Sequence, residues 1–421
     1  MSYEVSDFCL RLKAYAELLI RRGVNLQPGQ TLILAAPAEA YAFTRIVAQA
    51  AWDAGARDVS IRWSDTPAGE QRLRHASKET LTSVPEWISK SYNDYADRDT
   101  VWLALACEYP PPAGMDTDKT SAARIASIKA IKPFFDARLN GTVRWNIASV
   151  ATRPWAQLVF PDMEPDAALQ RLWHDILLCA RCLQGEPTAA AAVQAWDAHI
   201  ARNNAYRDKL NAAGFTELRF ISGIGTDLVL GLPAGYHFVA TEETDPEGIR
   251  YIANIPSEEI FAGPDRLRVN GKVVASMPLF YNFALIYDLW FEFRDGRVVD
   301  FGCDTEEHRE VVRQLLETDE GSRYLGEVAL VPWGATVGAT GHLYYTTLFD
   351  ENAACHLALG ESYPETIDGG VDMSDEQLLS AGMNKSLAHV DFMFGTADLE
   401  IVGVTADGAE IPVFSAGTWA C

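Results

Sequence analysis

The sequence predicts an α/β N-terminal domain with a parallel sheet, followed by a β-rich α+β C-terminal domain. Three observations predict it. Apolar runs alternate with helical segments over the first ~200 residues, as expected for parallel strands joined by crossover helices. Beyond that point come short runs of alternating apolar and polar residues, separated by turn dipeptides. The chain has 421 residues, 48% of them hydrophobic, which suffices for two or three domains with cores of their own.

The N-terminal segment MSYEVSDFCLRLKAYAELLIRRG is amphipathic and carries acids near its start. It lacks the basic flank and apolar centre of a signal peptide, and reads as the first helix of a cytosolic, hence cytoplasmic, protein. TLILAA, an alanine-rich helix through Ala54 and GARDVSIRW then form a βαβ unit. TVWLALACE adds a buried strand, and the segments LRHASKETLTSVPEWISKSYNDYA and DKTSAARIASIKAIKPFFDARLNG read as helices. No glycine-rich phosphate fingerprint follows the first strand, which ends in APAEA, so a nucleotide site of that kind is unsupported. CARC, with Cys179 and Cys182, lies in a helical pattern and reads as a pair of buried helix cysteines.

The domain boundary is expected between residues 195 and 215, giving domains 1–205 and 206–421. In the second, TELRFI, DLVLGL, RLRVNGKVVAS, DLWFEFRDGRVVDF and DLEIVGVTADGAEIPVF read as antiparallel strands. Asn270-Gly271, Asp295-Gly296 and Asp407-Gly408 are the expected hairpin turns. One helix, TEEHREVVRQLLETD, interrupts them, with Thr305 as its N-cap and Glu306 and Glu307 in its first turn.

Composition narrows the partners. The net charge of −23 disfavours nucleic acid and anionic membranes, and no apolar run approaches the ~20 residues of a membrane span. The odd number of cysteines, seven, argues against a full set of disulfides.

The chemistry collects in the second half. In LAHVDFMFG, His389 and Asp391 are two apart, so in a strand they share one face while Val390 and Phe392 take the other. NIPSEEIFAGP offers Glu258 or Glu259, only one of which can face a given site; YLGEVALVPW offers Glu327 and DENAACHLALGESY offers His356. Each has an ordinary alternative: a solvated strand acid for Glu327, a satisfied core histidine for His356, the wet face of a strand for the His389 and Asp391 pair. Together, three carboxylates and two imidazoles without thiolate suit Zn, Co, Mn or ferrous iron. They exceed the ligand count of one catalytic zinc, which favours two ions sharing a carboxylate. The histidines at 75, 174, 199, 237, 308 and 342 lack neighbouring acid motifs and read as ordinary.

NIPSEEIFAGPDRLRVNGKV, YLGEVALVP, LFDENAACHLALGESY and NKSLAHVDFMFG together resemble the successive signatures of the M29 metallo-aminopeptidases, the aminopeptidase T and aminopeptidase S group. The order and approximate spacing agree over nearly the whole chain; the serine of PSEE stands where threonine is expected. The resemblance implies metal ligands at Glu259, Glu327, His356, His389 and Asp391, an active-site tyrosine at Tyr363, and two divalent ions, Zn, Co or Mn. It implies an exopeptidase that removes N-terminal residues from peptides with a free N-terminus through a metal-bridged water, and a homodimer. Glu258, beside a ligand, is a candidate general base. A similar family of ring-cleaving dihydroxypyridine dioxygenases holds one ferrous iron in a two-histidine, one-carboxylate triad, which His356, His389 and Asp391 would supply. A non-catalytic peptide-binding protein is the third alternative.

Overall fold

The computed structural model describes residues 6–110, 114, 116–282 and 284–420. The chain forms two compact units: residues up to Ala198 with Glu242–Pro256, and His199–Thr241 with Ser257–Cys421. Where one crossing near residue 205 is expected from sequence, the chain crosses three times. The returning segment contributes Asn254–Ile255, which pairs in parallel with Ile147 and Ala148.

In the first unit the strands Thr31–Pro37, Asp58–Ser64, Thr100–Ala106 and Arg144–Ser149 are all parallel. The helix Tyr41–Asp53 makes the expected crossover between the first two. Near-continuous burial of Thr31–Pro37 is what a strand covered on both faces requires. The two segments read as helices are each built of several. Residues 66–93 form three short helices, the last starting after Pro85, and residues 117–139 form two, the second with a proline in its first turn. Proline lacks the N–H that a helix interior needs and is tolerated at the first turn, so each proline marks a restart. Cys179 ends the helix Pro165–Cys179, and Cys182 lies three residues on, outside it; both are buried thiols.

The second unit is mainly antiparallel. An eight-stranded sheet takes up all five alternating runs named from the sequence. The helix Glu306–Leu316 is capped by Thr305, whose hydroxyl accepts the His308 N–H at 3.1 Å. Asp295-Gly296 is a two-residue hairpin turn, both residues having positive φ. Asn270-Gly271 is not a turn: both residues lie within the strand Val269–Val274, paired on each side. Gly271 is needed there for another reason, since φ is +112° and a Cβ would fall 2.2 Å from the Asp227 carbonyl oxygen.

A second, five-stranded sheet of this unit carries the chemistry. Its order is His389–Met393, His356–Gly360, Leu325–Leu330, Ile260–Ala262, Val239–Ala240, with every pair antiparallel. One face is apolar: Val328, Leu330, Leu357, Leu359 and Phe392 are buried in the unit's core, with Val390 packed against them. Alternation sends the intervening residues to the other face. Among the described residues no helix is long and apolar enough to cross a membrane.

Candidate metal centre

Register decides which side chains meet on that second face. Glu327 lies opposite Ala358, and Ala358 lies opposite Asp391; His356 is flanked by Ala329 and Met393. The two alanines leave the space above the sheet open for the acids and imidazoles beside them. Gly360, opposite His389, has φ +109°, and a Cβ there would stand 2.0 Å from the Ala388 carbonyl oxygen. Phe261 pairs with Ala329 on this face, and Glu259, two residues earlier, reaches the same face.

The result is a compact cluster. His356 Nε2 is 3.0 Å from Glu259 Oε2 and 3.9 Å from Glu327 Oε1. His389 Nε2 is 3.3 Å from Glu327 Oε2 and 3.4 Å from Asp391 Oδ1. Glu259, Glu327 and His356 offer three donor atoms within 4.8 Å of one another, as do Glu327, His389 and Asp391, so that Glu327 is common to two groups. All five residues named as metal candidates from the sequence are thus brought together. Glu258 belongs to neither group. It is buried, with Oε2 4.0 Å from His199 Nε2. The Tyr363 ring lies 4.9 Å from that of His389 and 5.7 Å from Phe261, edge to face with the latter.

Burial and like charge set the protonation states. Burial pushes the Glu327 carboxyl up to about 7, and Glu259 and Asp391 add to the rise against the opposing His389. For His356 burial works against the charged form, yet its hydrogen bond to Glu259 and the surrounding carboxylates outweigh it and carry the imidazole to about 10. His389 is likewise raised, burial being overcome by Asp391 and Glu327. Asp391 is lowered despite burial, because His389 faces it. Among the described residues, the only cationic partners of Glu259, Glu327 and Asp391 within 4 Å are these two imidazoles. A donor set of oxygen and imidazole nitrogen, converging without Lys or Arg, fits divalent cations.

Four contributors escaped the sequence reading. The Glu351 carboxyl is desolvated beside the cluster and pushed well above the carboxylate range, first by burial and then by Glu259 and Asp391. Its one signal was an acid five residues before His356 in a stretch of small residues. Asn352, wholly buried, accepts the Glu258 N–H on Oδ1 at 2.6 Å and donates from Nδ2 to Glu351 Oε1 at 3.3 Å. His199, read as ordinary, donates from Nε2 to the Ser257 carbonyl at 2.7 Å, and Asn203 donates to the Glu258 carbonyl at 3.4 Å. The Ser257–Glu258 backbone is thereby held from two other elements.

An antiparallel sheet that lines up carboxylates and imidazoles from three adjacent strands and from the residue preceding a fourth is the kind of site a metallohydrolase uses. The chain belongs to the family described as thermophilic metalloprotease (M29), which it matches over residues 8–419. It is 38% identical to aminopeptidase 2 of Geobacillus stearothermophilus over 97% of each chain. Its structure is similar to that of wild-type AmpT from Thermus thermophilus, with a TM-score of 0.90 and 35% identity, covering 98% of this chain and 100% of that one. Its likeness to a 2,5-dihydroxypyridine dioxygenase from Pseudomonas putida has a TM-score of 0.49 at 13% identity and carries no argument for that activity.

Proposed function

We propose that this chain is an aminopeptidase that removes N-terminal residues from peptides with two divalent ions, Zn, Co or Mn, held by Glu259, Glu327, His356, His389 and Asp391. The observation that carries the reading is the sharing of Glu327 between two groups of potential ligands. A bridging carboxylate is how two close cations are held, and one triad of His356, His389 and Asp391 would leave the buried Glu327 and the half-buried Glu259 without a cation. This favours the hydrolase over a single-iron oxygenase or a non-catalytic peptide binder.

Such ions, when bound, polarise a carbonyl and bring the pKa of water toward neutrality. The rest falls to the chain's own groups. Burial and then the neighbouring carboxylates, Glu327 and Asp391 first, hold the Tyr363 hydroxyl well above its ordinary value, so it stays protonated and can donate to an oxyanion. Phe261 and His389 fix its ring on two sides. Glu258, its backbone tied to Asn203 and Asn352, is the candidate for taking a proton from the attacking water. We place the protein in the cytoplasm as a homodimer, in keeping with its family.

The test pairs a metal count with an assay. Anomalous scattering should locate two ions on these five residues. An aminoacyl chromogenic amide should be hydrolysed and its N-acetylated form left intact; activity should vanish on chelation and return with Co, Zn or Mn. Full activity in exhaustively metal-free protein would end the proposal.

A further inference from the structure

His389 opens its strand directly after an irregular turn, Asn384 to Ala388, whose two ends are buried but whose middle, Lys385 to Leu387, is not. Leu387, its largest apolar side chain, is 81% exposed. Polar contacts hold this middle part. The Asp319 carboxylate accepts the Leu387 N–H at 2.6 Å and the Ser386 hydroxyl at 2.8 Å. The Glu361 carboxylate accepts the Ser386 N–H at 2.6 Å and pairs with Lys385, whose ammonium also reaches Asp375 at 3.1 Å.

Glu361 touches the candidate metal centre through its backbone. His389 Nδ1 donates to the Glu361 carbonyl at 2.8 Å. A carbonyl can only accept, so this contact places a proton on Nδ1 and leaves Nε2 to face Glu327 and Asp391 as the potential ligand atom. The Glu361 N–H in turn donates to the Ala388 carbonyl at 2.7 Å. One residue therefore grips the turn with its carboxylate and N–H while orienting the imidazole with its carbonyl.

We propose that Lys385 is a positioning residue for His389: by holding Glu361 between the turn and Asp375, it keeps the carbonyl that sets the ring's tautomer and angle. The inference rests on the reading of His389 as a metal ligand. Outer partners of a ligating imidazole commonly govern affinity by about 10- to 100-fold, and Lys385 acts one link further out. Its pairing with Glu361 is partly exposed, with side chains 24% and 29% accessible, so it adds little to global stability. Its loss should register at the ions first.

The experiment is calorimetric titration of metal-free protein with Zn and with Co, on wild type, Lys385→Met, Lys385→Arg, Glu361→Gln and His389→Ala. Lys385→Met should weaken one of two ion affinities by about 10-fold, the low end of that range, leave the other unchanged, and recover kcat at saturating Co. Lys385→Arg should restore most of the affinity, and His389→Ala should lose the affected site. Should Lys385→Met fail to fold, Glu361→Gln replaces it, since it keeps the carbonyl and the acceptor for Ser386 while deleting the charge; the same shift is expected. Wild-type constants in Lys385→Met, or in Glu361→Gln where that variant stands in, overturn the positioning role and leave the two-ion reading intact. Absence of ion binding by wild type overturns both, and an unchanged ion count in His389→Ala overturns the ligand role on which the inference rests.

Discussion

Each unit of this protein buries a cluster of charge, and the two clusters are built oppositely. In the first unit Arg144, 2% exposed, meets Asp245 at 2.5 Å, Gln30 at 2.6 Å, and the carbonyls of Val24 and Asn25 at 3.2 Å. The other Asp245 oxygen accepts the N–H groups of Glu247 and Ile249 at 2.9 and 2.8 Å. Positive and negative charge match within that network, and the guanidinium and carboxylate are both hydrogen-bonded from several sides. In the second unit Glu259, Glu327, Asp391 and Glu351 crowd around two imidazoles, and burial drives Glu327 and Glu351 toward the neutral acid. The difference teaches how to read buried charge: a network balanced within itself holds the fold, whereas one short of positive charge is suited to binding cations.

The largest effect that sharpens this contrast is expected from Glu327→Gln. Removing the shared carboxylate should cost both ions and about 10³-fold or more in kcat/KM, the scale of several kcal/mol of Lewis-acid stabilisation. The metal-free variant should melt no lower than metal-free wild type, because a carboxyl that burial disfavours has been neutralised; a large fall in Tm would make the site a structural network like the other. Arg144→Ala, by contrast, should destabilise by about 3–5 kcal/mol, since it strands Asp245 in the interior. Denaturant titration measures this, and the ion count of the folded fraction should stay at the wild-type value.

Acidity separates metal-free from metal-loaded protein. Glu327 has a folded-state pKa raised from 4.5 to about 7, so its contribution is present below the unfolded value and lost as pH rises through 7. His356, raised from 6.5 to about 10, contributes below 6.5 and loses its effect as pH rises through 10. Asp391, lowered from 3.8, acts only in more acid solution, where its contribution is lost as pH falls. The Tm of metal-free protein should therefore decline between pH 5 and 10. Ion binding requires deprotonated ligands, so apparent affinity should rise over the lower part of that range with protons released, as calorimetry in buffers of different ionisation enthalpy would detect. A pH-independent affinity would contradict the protonation states assigned to the cluster.

The smallest effect is Val390→Ala. Val390 lies between two candidate ligands in sequence but opposite Leu359 in register, packed against the core. The change should cost about 1 kcal/mol and leave the ion count unchanged. Loss of an ion would mean that the two faces of the strand are not independent.

Much of the site was legible because strand alternation is local. The spacing of two from His389 to Asp391 places both on one face whatever the strand pairs with, and the helix–strand rhythm of residues 31–63 announces a parallel βαβ unit by itself. Alternation also says that Glu258 and Glu259 diverge, but not which one faces the cluster. That depended on Phe261 pairing with Ala329, a contact across 68 residues of chain. Asn270-Gly271 shows the same limit: the dipeptide suits a turn, yet its glycine serves close backbone approach between paired strands.

Composition and short-range periodicity carry the two fold classes and the candidates Glu327, His356, His389 and Asp391 with either Glu258 or Glu259; the choice of Glu259 came from the resemblance to the M29 family. Only the tertiary structure decided that Ala329, Ala358 and Gly360 stand where they leave room among those donors, that Glu351 and Asn352 join them, and that residues 242–256 return to the first unit. The physical reason is that cross-strand register and chain return are set by packing and hydrogen bonding between segments far apart in sequence, and no local period encodes which distant partner a strand will find.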